Sequence, residues 1–101
     1  MATLAAALTA LTISLFPQGT DGPKRLWSVR CPAHPDCAQL ARVGRPAFAP
    51  VPSGTACTQI YGGPQVAIVS GVLDGRRLWA RFRRTDGCET ARWNRVAFLF
   101  S

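Results

Sequence analysis

Groups that could do acid–base chemistry are scarce in this sequence. It holds one histidine, His34, and five carboxylates scattered without pairing. A glycine-rich phosphate loop, a CxxC pair and a serine in a nucleophile-like setting are all missing, and common catalytic constellations draw on such groups. The chain is therefore expected not to be an enzyme and to need no cofactor and no metal. Long apolar runs are missing too. Residues 1–16 are apolar, but they fall short of the about 20 residues a membrane helix needs, and they lack the basic start of a signal peptide. Residues 1–8 are read as a lead-in or signal remnant, residues 9–101 as one domain, and no membrane partner is expected.

What the sequence does hold favours a packed globule. Apolar residues make up 48% of the 101 positions and charged residues 17%, which argues against a disordered basic tail. The net charge is +7, with the cations gathered at residues 24–30 and 76–95. Such a balance favours anionic partners in general. Lysine occurs once, however, and an arginine bias of this kind often reflects base composition of the genome.

Four cysteines, Cys31, Cys37, Cys57 and Cys88, allow three disulfide pairings, and spacing alone does not choose among them. Joining neighbours is the simplest. If bridged, they imply an oxidising, secreted setting. A zinc site built on Cys31, His34 and Cys37, with Cys57 or Cys88 as fourth ligand, is the cytosolic alternative. Its spacing matches no common zinc knuckle, and Pro32 and Pro35 stiffen it.

Along the chain, residues 9–16 and 25–30 alternate apolar and polar with period two, predicting an antiparallel strand pair. Leu26 falls on one face of the second strand, Trp27 and Val29 on the other. Residues 37–43 lack Gly and Pro; with Asp36 before, Gly44 after and Pro46 beyond, they predict a helix of two turns. From residue 45 to 63, prolines and glycines argue against regular structure, and a loop this long in a compact domain usually has a function. Asp74-Gly75 between two apolar runs is a strong hairpin signal. On its return strand Leu78, Ala80 and Phe82 face one way, Trp79, Arg81 and Arg83 the other. Residues 96–100 are expected as a last apolar strand. The sum is an α+β domain: a five-stranded antiparallel sheet with one or two short helices.

The second half of the chain resembles the Streptomyces subtilisin inhibitor family. The resemblance rests on Gly54-Thr-Ala-Cys-Thr-Gln-Ile-Tyr61, Pro64, Val69-Ser-Gly-Val-Leu-Asp-Gly-Arg-Arg77, Cys88-Glu89 and Val96-Ala-Phe-Leu-Phe100. Residues 11–15, 26–31 and 37–43 agree more loosely. The resemblance implies a secreted, substrate-like inhibitor of subtilisin-type serine proteases that dimerises through its sheet. It implies the disulfides Cys31–Cys37 and Cys57–Cys88, a reactive bond Gln59–Ile60, and protease contacts from Thr55, Ala56, Cys57, Thr58 and Tyr61. The chain departs from the family at Thr58, where proline is usual, and at Gln59, where Met, Lys or Arg is usual. Gly62-Gly63 adds a residue, and the first disulfide loop is shorter than usual. Asp86 stands where an asparagine often braces the loop, and an ionised aspartate has no proton to donate.

Gln59 itself is long and uncharged, which suits a wide, mostly apolar cleft of subtilisin type. It gives a trypsin-like acidic pocket no cation. The rival reading is a non-inhibitory secreted basic module contacting nucleic acid or an anionic surface through the arginines of residues 76–84, with Trp79 for stacking. On the inhibitor reading no nucleic acid partner is expected.

Overall fold

The period-two segments become strands, and alternation decides which of their side chains are buried. The computed structural model describes residues 8–101; residues 1–7, the bulk of the expected lead-in, lie outside the described residues. The Leu8 carbonyl accepts a hydrogen bond from Gly75 N–H at 2.7 Å.

Four strands form one antiparallel sheet in the order β2-β1-β3-β4, where β1 is Ala10–Phe16, β2 Arg25–Arg30, β3 Gly63–Leu73 and β4 Arg76–Arg84. The expected β1–β2 hairpin is present, with Ile13 opposite Trp27 and Leu11 opposite Val29. The β3–β4 hairpin turns at Asp74 (φ 50°) and Gly75 (φ 79°), the pair of positive φ angles that an Asp-Gly turn supplies. Pro64 and Gln65 fall at a register shift near the start of β3, where a residue without an N–H removes no ladder bond.

Leu11, Ile13, Val29, Val69, Ala80 and Phe82 point to one face and are buried. Both α-helices pack on that face. Helix α1, Cys37–Val43, covers the expected segment and contributes Leu40 to the core, and Gly44 closes it with its N–H on the Leu40 carbonyl. Helix α2, Gly87–Val96, lies mainly on β4 and buries Trp93 and Val96. The rings of Phe48, Phe82, Phe100 and Trp93 meet in series, with centroids 5.9, 5.7 and 4.7 Å apart.

The opposite face of the sheet is uncovered. Along it Ser70 pairs with Trp79, and Ile68 with Arg81. Leu26 is 59% and Trp79 65% exposed. The faces assigned to the return strand from sequence are thus those observed.

Two expectations need correction. The fifth strand, residues 96–100, does not exist: Val96 ends α2 and Ala97–Phe100 is a 3₁₀ turn. Val96, Leu99 and Phe100 are buried at helical spacing, which lets the run face the core without pairing to an edge. Residues 45–63 are not wholly irregular either. Arg45–Phe48 forms a 3₁₀ turn whose Phe48 is buried. Arg45 donates to the carbonyls of Leu73, Arg76 and Arg77 at 2.9, 3.1 and 3.2 Å, locking this turn to the β3–β4 hairpin.

Candidate functional site

Residues 49–62 leave that 3₁₀ turn and reach β3 without regular secondary structure. Pro50 and Pro52 open the segment and restrict its backbone. Thr55 turns back on Pro52, with both its N–H (3.2 Å) and its hydroxyl (2.6 Å) donating to that carbonyl.

The loop is then tied to the body close to its tip. Both disulfides implied by the resemblance are formed, Cys31–Cys37 and Cys57–Cys88, and no cysteine is free. All four sulfurs are therefore committed, and the zinc arrangement has no thiolate left. Cys57–Cys88 fastens the loop to the first turn of α2, with Cα atoms 5.4 Å apart. Closing a loop of sequence separation 31 stabilises the fold by about 3.5–4 kcal/mol in the chain-entropy picture. One residue on, the Thr58 carbonyl accepts from Gly87 N–H at 2.9 Å. Beyond the tip, Gly62 N–H donates to the Arg84 carbonyl at 2.6 Å, fixing the return into β3.

Gln59, Ile60 and Tyr61 hang between these ties. All are exposed, Ile60 by 69% and Tyr61 by 63%. Among the described residues, no backbone–backbone hydrogen bond outside regular elements uses their N–H or C=O groups. These groups are free to pair with another chain. The Gln59 side chain folds back, its Nε2 donating to the Cys57 carbonyl at 3.2 Å. Thr55 and Ala56 are exposed upstream, Cys57 is half-buried, and Thr58 is exposed. The residues singled out from sequence are thus brought together on one loop.

Sequence reasoning missed the residues that brace it. Asp86 does not brace the loop by its side chain; it caps α2, its Oδ1 accepting from Glu89 N–H at 2.9 Å. The neighbouring backbone supplies the brace instead, through Gly87 N–H. Glycine at 87 suits that approach, because a Cβ there would collide with Thr58 Oγ1 and force the Thr58 side chain to turn away. Asp86-x-x-Glu89 is a capping pattern that announces the start of α2 and could have placed these groups. Arg92, buried one turn after Cys88, was also missed. Its spacing of four from Cys88 puts both on one face of a helix.

No helix among the described residues is long and apolar enough to cross a membrane. No family model matches the chain, and no curated protein matches it.

Proposed function

We propose that the chain is a secreted, substrate-like inhibitor of subtilisin-type serine proteases, with Gln59–Ile60 as its reactive bond. The observation that carries this is the mounting of the tip: backbone at Gln59, Ile60 and Tyr61 that pairs with no other backbone among the described residues, anchored by Cys57–Cys88 and Gly87 on one side and Gly62 on the other. The resemblance of residues 54–61 to the subtilisin inhibitor family supports the same reading.

A protease grips a substrate segment by main-chain pairing, as an added strand does. The loop offers that pairing with little ordering left to do, which is how an interface of about 1,600 Å² becomes tight. Gln59 enters the primary pocket, giving up its bond to the Cys57 carbonyl. The protease serine attacks the Gln59 carbonyl, and oxyanion donors stabilise the tetrahedral intermediate. When the Gln59–Ile60 bond opens, the Ile60 amine stays near the acyl carbon, because Gly62 and β3 hold its side and the disulfide holds the other. Religation then competes with hydrolysis through proximity. The chain needs no cofactor or metal for this.

The test is titration of subtilisin activity by the oxidised chain. Stoichiometric loss of activity, little changed by salt, is the expected result; intact activity at excess chain would overturn the reading. A homodimer through the uncovered sheet face belongs to the same proposal. A second reading rests on Trp79, 65% exposed between Arg77 and Arg81 on β4: a basic face for nucleic acid or another polyanion. It predicts steep salt dependence of binding and no effect on proteases.

A further inference from the structure

Arg92 is one of two polar residues buried among the described residues, at 6% exposure. A long cation is rarely buried without a reason in its contacts, and these contacts converge on the loop. Arg92 Nε donates to the Ala49 carbonyl at 2.7 Å, and Nη2 to the Phe48 carbonyl at 3.2 Å. Nη1 donates to the Arg81 carbonyl on β4 at 2.9 Å and to Glu89 Oε1 at 3.2 Å. The guanidinium lies over the Phe82 ring, 4.4 Å from its centroid. One planar fork thus joins the loop's root, the edge strand β4 and the helix that carries Cys88.

We propose that Arg92 is a positioning residue for the reactive loop: it fixes the direction in which the chain leaves Phe48 and Ala49, as the disulfide fixes where it arrives at Cys57. This rests on the inhibitor reading. Burial of the Phe48 ring holds the root in place but does not orient its carbonyl groups. Between Ala49 and Cys57 the one backbone–backbone hydrogen bond among the described residues, Thr55 N–H to the Pro52 carbonyl, is internal, so backbone hydrogen bonding does not tie residues 50–56 to the body between the two ends. With the Arg92 end loosened, the tip swings about the disulfide, and the Ile60 amine is less well placed for religation.

Three variants test this. Arg92→Met keeps the apolar stem. Arg92→Lys keeps the charge beside Glu89 but lacks the fork that serves the carbonyls. Leu40→Ala weakens the core away from the loop and controls for lost stability. With all chains folded and oxidised, subtilisin is expected to cut Gln59–Ile60 about tenfold faster in both Arg92 variants than in the Leu40→Ala control, matching the loss of about one charged hydrogen bond. Cleavage at the control's rate in both variants overturns the proposal. A wild-type chain that fails to titrate subtilisin defeats the inhibitor reading alone. Amide exchange at Thr55 then decides the anchor: it rises in Arg92→Met and Arg92→Lys over the control if the anchor holds, and matches the control if it does not.

Discussion

On the inhibitor reading proposed above, Gln59 is the residue on which target choice turns. Its amide is uncharged and folds onto its own loop at the Cys57 carbonyl, so a mostly apolar pocket gains the stem without meeting a charge. Gln59→Lys is expected to bring trypsin within range while leaving the fold unchanged, read as a new stoichiometric titration of trypsin; no gain would place the contact elsewhere. Gly87 is the second critical position. Gly87→Ala drives a methyl group into Thr58 Oγ1 and is expected to weaken subtilisin inhibition about tenfold, with Thr58→Ala in the same chain recovering most of the loss. Non-recovery in that double variant would show that the two residues do not act through their contact. The contact between them was not legible in the sequence. Thr58 was singled out by its place after Cys57, whereas the fit of glycine at 87 depends on a contact between segments far apart in sequence.

At the scale of elements, legibility followed local signals. Asp74-Gly75 announces its hairpin because two positive φ angles are needed there and those residues tolerate them. Helix α1 is bracketed by Asp36 and Gly44 as expected, although the Asp36 side chain makes no capping bond. The last segment was misread because an unbroken apolar run has no period: Val96-Ala-Phe-Leu-Phe100 suits a buried strand and a helix end equally, and tertiary packing decides. Helix α2 starts at the Asp86-x-x-Glu89 pattern, where Gly87 at the first helical position weakens the local helix signal. Asp86→Ala is expected to destabilise the fold by about 0.5–2 kcal/mol through loss of the cap. Because α2 carries Cys88, Gly87 and Arg92, it should also speed cutting at Gln59–Ile60. Denaturant melts and cleavage rates check the two effects separately, and an unchanged melt would remove the cap from the account.

For the molecule as a whole, one sheet face is used for stability and the other is left open. The aromatic series from Phe48 to Trp93 and helix α2 fill the first. On the second, exposed Leu26 and Trp79 are set among serines and arginines. Stacking of two such faces should give a dimer mass by sedimentation, and Trp79→Glu should give monomer without loss of protease inhibition; a wild-type monomer at micromolar concentration would leave the face to another partner. Removing the Cys57–Cys88 staple by paired serine substitution is expected to lower stability by about 2–5 kcal/mol and to turn the loop into an ordinary substrate. Whether Gln59–Ile60 is the reactive bond is decided by mass analysis after long incubation with a small amount of subtilisin. A single slow cut between Gln59 and Ile60, with the halves joined by Cys57–Cys88 and resealed into intact chain by fresh enzyme, is the predicted result. Rapid cutting at many bonds, or a blocked protease with that bond untouched and another opened, would contradict it.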